Sequence, residues 1–85
     1  MVAIEEVFSS KGPIRILRVL TEIAELHVSD IARRTGLNYS MTNQHLRVLE
    51  KHGLVRHKKY GRARFFRFDE TNPGARIVKE LIEAW

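Results

Sequence analysis

"NYSMTNQHLRVLEKHGLV", residues 38–55, combines a polar beginning with an apolar stripe and a glycine near its end. Apolar residues recur at helical spacing from residue 42 onward, which predicts a helix over about 40–52. Gly53 is typical of the position just beyond a helix end, and either Ser40 or Asn38 is placed to cap the start. One side of this helix is expected to pack on a core, and it holds Thr42, His45, Leu46 and Leu49.

The opposite side of the helix carries only polar and basic side chains, namely Ser40, Asn43, Gln44, Arg47 and Lys51. Asn or Gln can pair with two atoms of adenine, and Arg with two atoms of guanine, in the major groove of a duplex. Asp and Glu are absent from residues 31–49, as expected of a surface that approaches phosphates. Tyr39 and Ser40 can donate hydrogen bonds to a phosphate at the helix N-terminus. This face is predicted to contact DNA, although ordinary polar surface positions are the alternative interpretation.

The segments around this helix predict a mainly α fold with a small β-hairpin. Ser29 is placed to cap a short helix that Gly36 closes, and a brief turn separates it from the helix at 40–52. β-prone runs on either side of Gly61-Arg62 predict a hairpin. With further helices expected at 1–10, 13–26 and 73–85, the element order is that of a winged helix-turn-helix.

The net charge of +5 is concentrated in the middle of the chain. Residues 31–68 hold ten basic groups against Glu50 alone, whereas the segments before and after are mildly acidic. A surface that is charged only for solubility would intersperse both signs. The placement therefore favours a polyanionic partner, with a solvated face of no special function as the alternative.

The predicted wing, residues 56–67, is rich in Lys and Arg. Alternate residues of a strand face opposite sides, so Phe66 and Phe68 can pack inward while basic groups reach outward. Arg62 lies at the tip, where it could enter a narrow minor groove. The wing residues expected to contact DNA are Lys58, Lys59, Arg62 and Arg64. Protection of an exposed strand edge is the alternative role for these cations.

About half of the chain, "VSDIARRTGLNYSMTNQHLRVLEKHGLVRHKKYGRARFFRF", resembles the ArsR-like winged-helix transcription regulators, with the MarR-like group as a near neighbour. The resemblance rests on Ser40, His45, Leu46, Leu49, Gly53, Leu54 and Val55. It implies a homodimer and a DNA operator with two half-sites. The recognition-helix residues that it implies are Tyr39, Ser40, Asn43, Gln44 and Arg47. The chain has no cysteine, which excludes a thiolate sensor site, and no histidine pair has metal-ligand spacing, so no metal or cofactor is expected.

The terminal helices at 1–10 and 73–85 are apolar on one side, and the DNA-contacting segments do not require both of them. They are suited to pairing with the same helices of a second subunit. The residues predicted to form this interface are Ile4, Val7, Phe8, Val78, Leu81, Ile82 and Trp85. The alternative is that both helices fold back on their own subunit.

Length and motifs narrow the function further. At 85 residues the chain is expected to form one domain, 1–85, and the absence of a long apolar run or a signal peptide favours a cytoplasmic protein. No phosphate-binding loop, carboxylate pair or nucleophile–base pair indicates an enzyme or a small-molecule substrate. The leading prediction is a sequence-specific double-stranded DNA-binding transcription regulator. The alternatives are a winged-helix interaction module in a transcription or replication complex and, less favoured, a non-specific nucleic-acid-coating protein.

Overall fold

The computed structural model describes residues 5–8 and 10–85, with only the backbone described for Glu5 and Glu6. The elements are α1 Glu5–Phe8, α2 Lys11–Glu22, β1 Leu26–His27, α3 Val28–Thr35, α4 Tyr39–Lys51, β2 Val55–Tyr60, β3 Ala63–Phe68 and α5 Pro73–Ala84. The predicted mainly α fold with a β-hairpin is confirmed. Helix α2 begins two residues before the predicted Pro13 and ends at Glu22 rather than at residue 26.

The sheet has three antiparallel strands in the order β1-β3-β2. The hairpin β2–β3 runs in register from Val55 opposite Phe68 to Tyr60 opposite Ala63. The added strand β1 pairs with β3 and places His27 opposite Phe65. The sequence analysis did not predict this strand, because two residues are too few to show an alternating pattern.

Two helix caps come from side chains just outside the helices. The His27 ring accepts a hydrogen bond at Nδ1 from the backbone N–H of Ser29 at 3.0 Å, so α3 is capped by His27 and the prediction of Ser29 as the cap was wrong. Asn38 caps α4 by accepting from the backbone N–H of Met41 at 2.7 Å. Of the two residues suggested for that cap, Asn38 fills the role, and Ser40 lies within the helix with its side chain exposed.

The core lies between the helices and the inner face of the sheet. Phe66 is 1% exposed, and Phe68 is buried beside it, as the alternation along the wing predicted. The predicted core side of α4 is also confirmed at Thr42, Leu46 and Leu49, which are all buried. Each fully buried large apolar side chain stabilises the fold by about 1.5–3 kcal/mol. The other buried apolar side chains of this core include Ile16, Leu17 and Leu20 of α2, and Val28 and Ile31 of α3.

The end of α4 is joined to the beginning of α5 by one side chain. Gly53 has a φ of 75°, which L side chains rarely adopt, and it lies just beyond the end of α4 as predicted. Asn72 donates from Nδ2 to the carbonyl oxygen of Gly53 at 2.8 Å. The Asn72 Oδ1 accepts from the backbone N–H of Gly74 at 3.0 Å and so caps α5. The beginning of α5 is thereby tied to the end of α4.

The structure corrects part of the predicted dimer interface. Val7 is 0% exposed and Ile82 is 6% exposed, because both side chains pack in the core of their own subunit and have little surface left for a partner. Val78 is partly buried against the same core. Ile4 lies outside the described residues. The exposed large apolar side chains at the two ends of the described chain are Phe8, Ile77, Leu81 and Trp85.

Candidate nucleic-acid interface

Six side chains line one concave surface, a groove of about 610 Å³ between α4 and the wing. Five of them come from the first turns of α4, where residues three or four positions apart share a face. Ser40, Gln44 and Arg47 are exposed, and Tyr39 is 54% exposed. The groove residues are Tyr39, Ser40, Asn43, Gln44 and Arg47 of α4, and Arg64 of β3.

The structure thus brings together all five α4 residues that the resemblance implied. None of the six residues that line the groove is a carboxylate, and two of them are arginines. Arg47 and Gln44 are both exposed, so no other part of the described chain covers the guanidinium or the amide. Chemically, this surface offers hydrogen-bond donors and acceptors together with positive charge.

The remaining predicted contacts lie outside the groove. Lys51 is exposed one turn beyond Arg47 on α4. Lys58 and Lys59 are both exposed, but they face opposite sides of the wing because successive strand residues alternate. Lys59 is opposite Arg64 in the register and shares its face, whereas Lys58 is opposite Phe65. The wing cations therefore do not form one patch.

The tip of the wing is a two-residue turn between β2 and β3. Gly61 has a φ of 63°, and Arg62 beside it is exposed. Glycine adopts this conformation without steric cost, so the turn can be tight enough to leave the arginine at the extreme end of the hairpin. The predicted position of Arg62 at the tip is confirmed, and its contact with DNA remains a prediction.

Arg64 connects the wing to the N-terminal part of α4. Its Nη2 donates to Oδ1 of Asn43, and its guanidinium carbon lies 5.7 Å from the centre of the Phe66 ring. Asn43 donates from Nδ2 to the carbonyl oxygen of Tyr39 at 3.0 Å. Hydrogen bonding by Asn43, followed by that of Arg64, holds the pKa of the Tyr39 phenol below its ordinary value. Three predicted DNA contacts are therefore also in contact with one another.

A second link joins the wing to the C-terminal part of α4. Oε2 of Glu50 lies 2.7 Å from Nδ1 of His57 and accepts from the His57 backbone N–H at 3.2 Å. The His57 ring also lies 5.2 Å from the Phe66 ring. In the strand register His57 lies opposite the buried Phe66, on the inner face of the wing.

Glu50 is the single acid in the basic tract 31–68, and this contact explains its presence there. Its carboxylate faces the wing strand rather than the predicted DNA surface. The two links, Glu50 with His57 and Asn43 with Arg64, hold the wing against α4 at both ends of the helix. Spacing along the sequence could not reveal them, because the partners lie seven and twenty-one positions apart on different elements.

Within residues 5–8 and 10–85, no group of three or more His, Asp or Glu side chains could hold a metal ion. Over the same part of the chain, no helix has both the length and the apolar character needed to cross a membrane.

Comparison with known proteins identifies the family. Residues 10–57, more than half of the chain, match the family model described as bacterial regulatory protein, arsR family. The chain belongs to this family. The resemblance to ArsR-like regulators and the winged helix-turn-helix fold are both confirmed.

Solved structures similar to this ArsR-family chain cover nearly all of it. HlyU from Vibrio cholerae N16961 is 25% identical, with a TM-score of 0.79 over 93% of this chain and 83% of that one. A possible transcriptional regulator for arsenical resistance is 28% identical, with a TM-score of 0.76 over 99% of this chain and 83% of that one. The homodimeric winged helix-turn-helix DNA-binding domain Mb0332 from Mycobacterium bovis is 22% identical, with a TM-score of 0.79 over 95% of this chain and 72% of that one. The matched family is described as one of bacterial regulatory proteins, and the second of these structures as a possible transcriptional regulator.

Proposed function

We propose that this ArsR-family protein is a homodimer that binds double-stranded DNA with sequence preference, placing α4 in the major groove and the wing on phosphates or in the minor groove. The observation that carries this proposal is the groove in which Gln44 and Arg47 are exposed beside Asn43, with no carboxylate among its lining residues. A major groove about 12 Å wide admits one α-helix, and the exposed face of α4 is the one that carries these groups.

Base recognition is assigned to the middle of the groove. Arg47 can pair with two acceptors of guanine, and the amides of Gln44 and Asn43 can pair with adenine. A phosphate contact is assigned to Tyr39 and Ser40, because both lie at the N-terminus of α4, where the helix dipole attracts an anion. These contacts would set which sequence is bound and where the helix lies in the groove.

Phosphate contacts are assigned to the exposed cations that lie outside the groove. These are Lys51, Lys58, Lys59 and, at the wing tip, Arg62, which could instead enter the minor groove. If each subunit neutralises about four phosphates, the slope of log K against log salt for a dimer is on the order of −7.

The dimer is assigned to the apolar surface that the terminal helices leave exposed. Ile77 and Leu81 are 65% and 56% exposed and lie one turn apart on α5, and Trp85 follows at 92%. Phe8 supplies a further exposed apolar side chain from α1. Isolated exposed apolar residues are ordinary, but a row of three along one helix and the residue that follows it is typical of an interface. The homodimeric state of Mb0332 supports the same assembly for this protein. Each subunit of the proposed dimer is a single domain that spans residues 1–85.

Selection of bound sequences from random duplex DNA tests the proposal directly. We expect a two-fold-related pair of half-sites with centres about one helical turn apart, as a symmetric dimer requires. Gln44→Ala should relax preference at one base in each half-site, whereas Lys58→Ala should weaken binding to all sequences alike. Recovery of no preferred sequence, together with a flat salt response, would contradict the proposal and favour a protein-interaction module.

A further inference from the structure

Among the basic residues of the wing, Arg64 differs in its surroundings. Lys58, Lys59 and Arg62 are exposed, whereas Arg64 is half-buried. Its guanidinium lies against the face of the buried Phe66 ring and donates to Asn43 on α4. An arginine held in this way has less freedom to follow the phosphate backbone than a solvated lysine.

The contacts of Asn43 fix which end of its amide is the donor. The oxygen accepts from Arg64 and the nitrogen donates to the Tyr39 carbonyl oxygen. Rotating the amide by 180° would put its NH₂ against the guanidinium, donor against donor, and its oxygen against the carbonyl, acceptor against acceptor. Both contacts would then be lost, so only one orientation is compatible with the wing in place.

Asn43 nevertheless keeps hydrogen-bonding capacity for a ligand. An amide has two N–H donors and two oxygen lone pairs, and the contacts with Tyr39 and Arg64 use one of each. The second N–H is the group that hydrogen-bonds the exposed Tyr39 phenol, so exchanging that partner for a base would give Asn43 one donor and one acceptor, the combination that pairs with adenine. A side chain whose orientation is already set loses less conformational entropy on binding.

We propose that Arg64 is a positioning residue for base recognition: it sets the orientation of the Asn43 amide, and its contribution to binding comes through Asn43 rather than through a phosphate. This inference rests on the proposed DNA-binding function and assigns to Arg64 a role different from that of the other wing cations. It also makes the wing part of sequence recognition, because a residue of β3 decides what a residue of α4 presents.

The test uses Arg64→Met, which keeps the apolar stem over Phe66 and removes the donors, beside Lys59→Met as the matched control. Lys59 is opposite Arg64 in the register and is exposed. Binding is measured on the selected site and on sites with one base pair changed symmetrically in both half-sites. We expect Arg64→Met to reduce discrimination at one base pair by at least about fivefold. This should be the same base pair at which Asn43→Ala reduces discrimination. In the Asn43→Ala background, Arg64→Met should have no further effect on discrimination.

The control behaves differently if the inference is correct. Lys59→Met should lower affinity for every sequence alike. It should also reduce the magnitude of the slope of log K against log salt by about 2, since each phosphate contact contributes about 0.9 and a dimer loses two of them. If Arg64→Met gives this same uniform loss, additive with Asn43→Ala, Arg64 is a phosphate contact and the inference is wrong while the proposed function stands. If the unchanged protein shows no base preference, the proposed function fails and the inference fails with it.

A measurement without DNA checks the contact itself. In a Tyr60→Phe background, Tyr39 is the one remaining tyrosine of the chain, so the phenol can be titrated by its ultraviolet absorbance. Arg64→Met should raise the pKa of Tyr39 toward its ordinary value because a hydrogen bond that favours the phenolate is lost. Lys59→Met should leave that pKa nearly unchanged. An unchanged pKa in Arg64→Met would show that the Arg64 guanidinium does not reach the first turn of α4 in solution, where both Tyr39 and Asn43 lie, and the inference would be overturned.

Discussion

Replacing Gly12 by alanine should destabilise the fold through one side chain of α4. Gly12 is buried in the first turn of α2, directly against the ring of His45. A Cβ added there would lie 2.7 Å from Cδ2 of His45 and closer still to Nε2, and the three nearest heavy atoms all belong to that ring. Ordinary van der Waals contact begins near 3.4 Å, so the ring would have to retreat by about 0.7 Å or more.

The expected cost follows from two opposing terms. Overpacking a well-packed position costs about 1–3 kcal/mol. Exchanging glycine for alanine in a helix returns up to about 1 kcal/mol, and less at the first turn than in the interior. The net expectation is a loss of about 1–2 kcal/mol in the free energy of unfolding. For a chain of this size that corresponds to a fall in Tm of roughly 5–15 °C.

Urea denaturation followed by far-ultraviolet circular dichroism measures this loss, at equal protein concentration because a dimer's stability depends on it. The matched background is His45→Ala, in which the ring is absent. There we expect Gly12→Ala to change the free energy of unfolding by less than about 0.5 kcal/mol, or to stabilise the fold. The reasoning is refuted if Gly12→Ala costs nothing in the parent protein, or costs the same with and without the ring.

Three further predictions concern α5 and its connections. Asn72→Ala should cost about 1–3 kcal/mol in urea denaturation, because the Gly53 carbonyl oxygen and the N-terminus of α5 both lose a partner. The hydrogen bond from Lys79, at 2.9 Å, is the main cause that lowers the pKa of Glu70. This contact therefore stabilises the fold at neutral pH, and its contribution is lost as the pH falls through the lowered pKa. Lys79→Met should therefore raise the pKa of Glu70 toward 4.5 in an NMR titration and remove that part of the acid sensitivity. Ile77→Glu, on the exposed side of α5, should convert the dimer to a folded monomer in sedimentation velocity.

Each of these variants has a matched control. Thr71→Ala, in the same turn as Asn72, should cost less, since the Thr71 side chain is exposed and its hydroxyl donates to the half-buried Asp69 two residues before it. Lys79→Arg should keep the pKa of Glu70 low, and an unchanged pKa in Lys79→Met would contradict the assignment. Arg76→Glu adds the same side chain to an exposed position beside Ile77 and should leave the dimer intact. If Ile77→Glu and Arg76→Glu have the same oligomeric state, α5 does not form the interface through its apolar row.

Local features of the sequence were predictable because each depends on residues close together in the chain. The helical spacing around Leu46 and Leu49 and the αL glycine at Gly53 require only neighbouring positions, and the structure confirms them. The turn at Gly61-Arg62 follows from a glycine between two β-prone runs, and the inward position of Phe66 follows from strand alternation. The cap of α3 was not predicted correctly, because the ring of His27 accepts the hydrogen bond that a hydroxyl, amide or carboxylate oxygen usually accepts at a helix start.

The sequence by itself determined the element order, the polar face of α4 and the concentration of positive charge beside it, since period and composition are properties of adjacent residues. Only the tertiary structure decided that Arg64 meets Asn43 and that Glu50 meets His57. It also decided that Val7 is buried while neighbouring apolar side chains of the terminal helices stay exposed. These outcomes depend on how the sheet packs against the helices. The spacing of residues along the sequence does not predict contacts between two elements, because burial of the shared core sets how those elements lie against each other.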